Sequence, residues 1–116
     1  MSTRSQIAVY NPTCREYTSV YCHFDGYPEG VGRQLLNDYN STARALGLVD
    51  AGAMFQPGQP YTGERARPAT HHHGDVDFGD HMQRAWADYA YRWHYTDEKW
   101  QVSRDGRIWA DLTDLV

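Results

Sequence analysis

A dense group of metal-binding side chains lies between residues 71 and 81 of this 116-residue chain: His71, His72, His73, Asp75, Asp77, Asp80 and His81. Imidazole and carboxylate groups suit Zn²⁺, Mn²⁺ or Fe²⁺. A metal-dependent hydrolase or a nucleotide-binding enzyme built on this cluster would draw its ligands from His71, His73, Asp75 and His81. A catalytic metal needs ligands from several elements, and only His23 and His94 are distant candidates. We therefore favour a solvated segment with weak adventitious metal binding, and expect no metal site and no cofactor.

A second group of reactive side chains lies in the run Tyr21-Cys22-His23-Phe24-Asp25-Gly26-Tyr27-Pro28-Glu29-Gly30-Val31-Gly32. His23 and Asp25, with Tyr21 and Glu29 nearby, could form an acid–base cluster at a strand end. The same residue types also have local backbone roles, because Asp25-Gly26 favours a turn and proline fixes φ at the next turn. We favour the structural interpretation of this run.

Nucleophilic and phosphate-binding motifs are not evident. Cys22 is next to His23, but adjacent residues on a strand point to opposite faces, so they cannot form a dyad. We interpret Cys22 as a small core residue. The glycines at 26, 30 and 32 lack the spacing of a phosphate cradle, and no Ser/His/Asp set stands out. The sequence therefore predicts a protein that is not an enzyme.

Four aromatic residues alternate near the C-terminus, at Tyr89, Tyr91, Trp93 and Tyr95. Such a ladder could stack nucleic-acid bases on a sheet. It could equally cover helices in a hydrophobic core, and we favour the core because one face of the strand must pack inward.

The elements that would position these groups are β-rich at both ends of the chain. Residues 6–10 and 17–24 predict an antiparallel hairpin, and residues 89–95, 100–103 and 108–110 predict an aromatic meander. On the second strand of the hairpin, the face that includes Cys22 is apolar and should meet the core.

The middle of the chain is helical, with a long irregular stretch. Apolar spacing predicts a helix after Gly30, and Ser41 is suited to cap a second helix from Thr42. Residues 56–70 are rich in proline and glycine and predict an irregular loop, and Asp77 could cap a helix over residues 78–88. The expected fold is α+β: one domain over residues 1–116, a single antiparallel sheet, two to three helices on one face, and a mobile loop at about 56–77.

Composition narrows the classes of partner. The formal net charge of −4 opposes non-specific nucleic-acid binding, so we expect no direct nucleic-acid partner. There is no apolar run of membrane-spanning length and no apolar signal region in residues 1–6, so we expect no membrane partner and a cytoplasmic location. Two cysteines, Cys14 and Cys22, are too few for a disulfide framework and are expected to be reduced.

Three motifs in the first 40 residues resemble a family of small proteins from phages, prophages and plasmids. They are Thr3-Arg4-Ser5-x-Ile7, then Tyr21-Cys22-His23-x-Asp25-Gly26-Tyr27-Pro28-Glu29-Gly30-Val31-Gly32, then Leu35-Leu36-x-x-Tyr39. The aromatic segment Tyr89-x-Tyr91 and Trp100 is similar more loosely. By analogy, the resemblance implies an accessory protein of a mobile element that inhibits host defence, as anti-CRISPR proteins do.

A partner-binding surface follows from the turn after the second strand. Asp25, Tyr27 and Glu29 place an aromatic ring between carboxylates at one edge of the expected sheet, and Asp75 and Asp77 on the long loop could join them. Such a surface suits an arginine-lined partner. We expect a host defence complex as the partner, one candidate being a CRISPR-Cas effector, inhibited by occlusion or by mimicry of nucleic-acid phosphates. A third alternative is a structural or dimerising domain with no small ligand, in which the partner would be a second copy of the chain.

Overall fold

Residues 3–116 are described by a computed structural model, in which they form one eight-stranded sheet and three α-helices. The strands are β1 (Ser5–Asn11), β2 (Glu16–Cys22), β3 (Met54–Gln56), β4 (Gln59–Pro60), β5 (Thr70–His73), β6 (Tyr89–His94), β7 (Lys99–Ser103) and β8 (Ala110–Asp111). The helices are α1 (Arg33–Asp38), α2 (Thr42–Asp50) and α3 (Gly74–Arg84). The expectation that there is no apolar signal region concerns residues 1–6, and two of these, Met1 and Ser2, lie outside the described residues.

The sheet is mixed, and the prediction of a purely antiparallel sheet is wrong. The strand order is β4-β3-β2-β1-β6-β7-β8, and β5 pairs with β2. The N-terminal hairpin β1–β2 and the C-terminal meander β6–β7–β8 are antiparallel as expected, but β6 joins β1 in parallel. A parallel neighbour needs a long crossover, and the segment between β2 and β6, which contains all three helices, provides it. The α+β class is confirmed.

The helices cover both faces of the sheet, so the prediction of helices on one face is also wrong. The core on one face joins α1 and α2 to the sheet through Ile7, Leu35 and Val49. The core on the other face joins α3 to the sheet through Ala8 and Phe78, among other residues. Consecutive residues of β1 therefore face different helices, and the strand is buried on both sides, as near-continuous apolar strands usually are.

The aromatic residues of β6 are core residues, as predicted. Tyr91 is fully buried and Trp93 is 2% exposed. Their polar atoms are satisfied, because the Tyr91 hydroxyl donates to the Gly26 carbonyl at 2.6 Å and Trp93 Nε1 donates to Thr42 Oγ1 at 2.9 Å. Burying an aromatic side chain of this size stabilises the fold by roughly 2–3 kcal/mol. Tyr95, beyond the end of β6, is exposed.

Of the two predicted helix caps, Ser41 is confirmed and Asp77 is not at the predicted position. Ser41 caps α2 as predicted, with its side chain accepting from the Arg44 N–H at 3.2 Å. Helix α3 begins at Gly74 rather than at residue 78, so Asp77 lies inside its first turns. The Asp77 carboxylate nevertheless helps the helix start, because it accepts from the His73 N–H at 3.0 Å.

The segment predicted to be irregular contains short pieces of regular structure. Strand β4, a 3-10 turn at Gly63–Arg65 and strand β5 all lie within residues 56–77. The expectation that residues 56–70 hold no strand or helix is therefore wrong at these places. Both residues of β4 are exposed, so no apolar pattern signalled the strand, which forms through its backbone pairing with β3. Among residues 3–116, no helix has the length and apolar character needed to span a bilayer.

Candidate protein-interaction surface

The turn after β2 is fixed by backbone hydrogen bonds to the next strand. The His23 N–H donates to the Met54 carbonyl at 3.0 Å, and the Phe24 N–H donates to the Phe55 carbonyl at 2.8 Å. Strand β3 therefore continues along this end of β2, and the segment that follows it lies beside the turn. This contact joins residues more than thirty positions apart.

Glycine is required at two places in this turn. A Cβ at Gly30 would lie 2.4 Å from the Asp25 carbonyl oxygen, and a Cβ at Gly26 would lie 2.8 Å from that of Thr3. The Asp25 carbonyl also accepts from the Val31 N–H at 2.8 Å, and Asp25 itself has a φ of 56°. The run from 25 to 32 thus packs its backbone too tightly for side chains, which explains its composition structurally.

The Asp25 carboxylate orders the side chains around the turn. One oxygen accepts from the Tyr27 hydroxyl at 3.3 Å, and the other accepts from Gln56 Nε2 at 2.9 Å. The negative charge of Asp25 raises the pKa of the Tyr27 phenol, and Glu29 adds to this effect. Tyr27 is 39% exposed and Glu29 is exposed. A partly exposed aromatic ring therefore lies over Gly30 with its hydroxyl on the Asp25 carboxylate, and the charge of Glu29 acts on the same hydroxyl.

Exposed aromatic surface continues on the other side of the turn. Phe24 is 39% exposed, and its ring centroid lies 4.5 Å from that of His23 and 6.2 Å from that of Phe55. We call the surface formed by Phe24, Asp25, Tyr27, Glu29 and Phe55 the rim. It combines apolar area, an aromatic hydroxyl and negative charge on an ordered backbone.

Asp75 and Asp77 do not join the rim. They begin α3 immediately after His73, which pairs with Glu16 at the far end of β2 from the turn. The length of β2 separates the two ends by about 20 Å at 3.3 Å per residue. The five residues predicted to bind a partner therefore fall into two groups, and only Asp25, Tyr27 and Glu29 are neighbours.

Asp75 belongs to an internal charge network that the sequence did not reveal. It accepts from the Tyr17 hydroxyl at 2.5 Å, and Arg92 Nη1 donates to the same hydroxyl at 2.5 Å. The Arg92 guanidinium lies between the rings of Tyr10 and Trp109, at 4.5 and 4.3 Å from their centroids. Burial and Asp75 raise the pKa of Tyr17, which stays a phenol. This network stabilises the α3 face of the sheet and commits one oxygen of Asp75 to Tyr17, while the Asp75 side chain stays 45% exposed.

The histidine cluster is divided between the two faces of β5. His71 points to the α2 side, where its Nδ1 lies 3.2 Å from Thr18 Oγ1, and it lines a cleft of about 530 Å³ together with Glu16 and Asp50. His73 Nδ1 lies 3.8 Å from the carboxylate oxygen Oε2 of Glu16. Within the described part of the chain, no three His, Cys, Asp or Glu side chains converge in a way that could hold a metal ion. The ligand set His71, His73, Asp75 and His81 is therefore not brought together.

His72 and His81 stack on the opposite face, with ring centroids 4.1 Å apart. His72 Nε2 lies 2.9 Å from Thr70 Oγ1. Burial lowers the pKa of both rings, and that of His81 falls to about 4, with the neighbouring His72 adding to the effect. The pair is neutral at physiological pH and acts as a packing contact between β5 and α3.

The remaining candidates for catalysis are also accounted for by local structure. Cys22 is buried, burial raises its pKa to about 12, and both Cys14 and Cys22 are free thiols. His23 Nδ1 lies 2.7 Å from the Tyr21 hydroxyl, whereas Asp25 is bound to Gln56 and Tyr27, so the alternative acid–base cluster is split.

Comparison of the chain with protein-family models, curated proteins and solved structures gave no match.

Proposed function

We propose that this protein is a protein-binding accessory factor of a mobile element, which inhibits a host defence complex by occluding one of its surfaces through the rim. The observation that carries the proposal is the exposed Tyr27 ring, which donates to the Asp25 carboxylate and lies near Glu29 on a hydrogen-bonded turn. The resemblance to phage and plasmid proteins supplies the biological setting.

The rim has the properties of an interface hot spot. Tyrosine and other aromatic residues contribute much of the binding energy at interfaces. Phe24 and Phe55 extend the apolar area next to Tyr27, and their backbones are joined by a 2.8 Å hydrogen bond. Because the turn is already ordered, binding loses less conformational entropy than it would with a flexible loop.

The carboxylates of the rim favour a cationic partner surface, whereas Arg65 lies 6.0 Å from the Phe55 ring and adds positive charge next to it. Asp25 and Glu29 flank Tyr27, and the chain as a whole carries a formal charge of −4. An arginine-lined groove, such as the one in which a nucleic-acid-binding effector holds phosphates, is complementary to this arrangement. Occlusion of such a groove would inhibit a defence complex without any catalytic step. The rival function, a metal-dependent hydrolase, draws no support from the dispersed histidine cluster.

A capture experiment with a matched variant tests the proposal. Immobilised wild-type protein is exposed to host lysate, beside Tyr27→Ala/Glu29→Arg and the control Tyr95→Ala/Glu98→Arg, which makes the same changes at the β6–β7 turn. We expect a subunit of a defence complex to be retained by the wild type and the control and lost by the rim variant. Retention of no defence subunit, or equal retention by all three proteins, would contradict the proposal.

A further inference from the structure

Helix α3 ends in a turn whose conformation is unfavourable for the residue that occupies it. Trp86 has a φ of 58°, in the left-handed region that favours glycine. Its N–H donates to the Gln83 carbonyl at 3.1 Å, and the Ala87 N–H donates to the Met82 carbonyl at 3.1 Å. This is the hydrogen-bond pattern of a Schellman motif, in which the residue with positive φ is usually glycine. A bulky side chain at this position therefore costs stability.

The Trp86 side chain gains little packing in return. It is 77% exposed, whereas the side chains of Trp93 and Trp100 are 2% and 1% exposed. An aromatic side chain can bury roughly 150–250 Å², and most of that area stays in water here. An exposed tryptophan on a hydrogen-bonded turn is typical of a residue that anchors a protein interface. We call the Trp86 side chain the knob.

An apolar groove of about 320 Å³ begins three residues further along the chain, at Tyr89. Its other apolar walls are Val102, Ile108, Ala110 and Leu115. Ile108 and Leu115 are 78% and 51% exposed, so these walls are open to solvent. The volume lies at the lower end of the range for ligand pockets, roughly 300–1,000 Å³, and suits one inserted side chain. We call this feature the C-terminal groove.

The knob and the C-terminal groove lie close together at one end of the sheet. Three residues span at most ~11 Å, so Trp86 lies near Tyr89 on the groove wall. Arg104 connects the two, because its Nε donates to the Asp88 carbonyl at 3.1 Å and its guanidinium lies 4.5 Å from the Tyr89 ring centroid. A surface that carries a knob beside a groove can pair with its own copy around a two-fold axis, so that each knob enters the other groove.

The charges beside the knob and the groove are complementary. Arg84 is exposed two residues before the knob. Asp105 lines the groove, Asp114 directly precedes a groove residue, and both are exposed. Backbone hydrogen bonds lower the pKa of the Asp105 carboxyl, so it is ionised at neutral pH. Arg84 of one copy can therefore pair with carboxylates of the other, and Arg104 can stack on the incoming tryptophan ring.

We propose that the chain forms a two-fold homodimer in which Trp86 of each copy inserts into the C-terminal groove of the other. Burial of the two knobs and of the exposed groove walls drives the association. The dimer gives the tryptophan at the end of α3 a function that offsets its cost to the folded chain. No rim residue belongs to the knob or to the groove, so the dimer does not rest on the function proposed for the rim.

Other occupants fit this surface less well. An anionic lipid surface would attract Arg84 but repel the exposed carboxylates of Asp105 and Asp114. A different protein could supply a groove for the knob, but it would leave the chain's own C-terminal groove empty. A second copy fills both features at once, with matching polarity and charge.

Sedimentation equilibrium of the purified, untagged chain over a wide range of concentrations tests the proposal. We expect a reversible monomer–dimer equilibrium without larger species, because a two-fold contact is closed. A wild type that stays monomeric at all concentrations, or that grows into larger polymers, would overturn the proposal. Co-sedimentation of a monomeric wild type with phosphatidylglycerol vesicles would assign Trp86 to a lipid surface and overturn it as well.

The knob variant Trp86→Gly separates an interface role from a structural one. It should weaken dimerisation at least tenfold. It should also raise the urea concentration at the unfolding midpoint, measured where the wild type is monomeric, because glycine is favoured at this position of the turn. A lower midpoint would show that the ring stabilises the monomer and would contradict the proposal. The control Val76→Ala, which shortens a 65% exposed side chain at the other end of α3, should dimerise like the wild type.

The groove variant Ile108→Glu tests the exchange of knobs. Its fold should be intact because the Ile108 side chain is 78% exposed, and its dimerisation should weaken at least tenfold. An equimolar mixture with Trp86→Gly restores one intact contact, since the first protein supplies a knob and the second a groove. The mixture should therefore associate more strongly than either variant alone, and no gain on mixing would refute the exchange. The rim variant Tyr27→Ala/Glu29→Arg should dimerise normally, so failure of the rim proposal and failure of the dimer are distinguishable.

Discussion

The stacked pair His72 and His81 predicts that the protein loses stability as the pH falls from about 6.5 towards 4. The pKa of His81 is about 4 in the folded state against an ordinary value of 6.5, chiefly because the ring is buried. Between these values the unfolded chain binds a proton that the folded chain excludes. The free energy of unfolding must therefore decrease as the pH decreases within this window.

The magnitude follows from the same two values. At pH 5 the difference in proton binding at His81 corresponds to about 2 kcal/mol, and partial solvent access to the ring reduces this to ~1 kcal/mol. The pKa of His72 is lowered in the same direction, and so is that of His94, through burial. The pKa of the Asp105 carboxyl is lowered by backbone hydrogen bonds, so its stabilisation is lost as the pH falls towards and below its ordinary value of 3.8 and contributes little at pH 5.

Urea unfolding at pH 5.0 and 7.5, at constant ionic strength, measures the effect. We expect His81→Gln to lose about 1 kcal/mol less stability than the wild type between the two pH values. The matched control is His73→Gln, because the His73 side chain is 70% exposed. Equal pH dependence in wild type and His81→Gln would refute the reasoning, as would a change of the same size in His73→Gln.

Three further predictions concern the core, the turn and metal binding. Cys22→Ala should lower the free energy of unfolding by ~1 kcal/mol in denaturant titration and leave partner binding intact, since Cys22 is a buried thiol. Gly30→Ala should destabilise the fold by more than ~2 kcal/mol, because the Cβ would meet the Asp25 carbonyl at 2.4 Å; the control Gly47→Ala, with open space at the Cβ, should stabilise α2 by roughly 0.5–1 kcal/mol. Chelation of untagged protein should leave the melting temperature unchanged, and a chelator-induced decrease would favour the metalloenzyme.

The parts of the fold with strong local signals were predictable from the sequence. The Ser41 cap, the aromatic strand β6 and the turn at Asp25 each follow from a few adjacent residues. The parallel pairing of β1 with β6 was not predictable in this way, because it joins Ser5 to Tyr89. The residues around Ser5 do not indicate which strand pairs with the second edge of β1. The consecutive apolar residues Ile7-Ala8-Val9-Tyr10 of β1 were the available signal in the sequence that helices cover both faces.

The candidate site was predictable to the same extent. The neighbours Asp25, Tyr27 and Glu29 share one turn, and their proximity follows from chain geometry. The bond between Asp25 and Gln56 joins residues 31 positions apart, and that between Asp75 and Tyr17 joins residues 58 apart. Contacts of this kind decide which carboxylates remain free for a partner, and no local pattern encodes them.

The affinity of the rim for its captured partner tests the central claim most directly. The dissociation constants of wild type, Tyr27→Ala/Glu29→Arg and Tyr95→Ala/Glu98→Arg are measured with purified partner at several salt concentrations. We predict that the rim variant binds more than tenfold more weakly, about 1.4 kcal/mol, with a flatter salt dependence because the opposite-charge attraction is lost. Unchanged affinity in the folded rim variant, or a loss confined to the Tyr95 variant, would place the interface elsewhere and contradict the account.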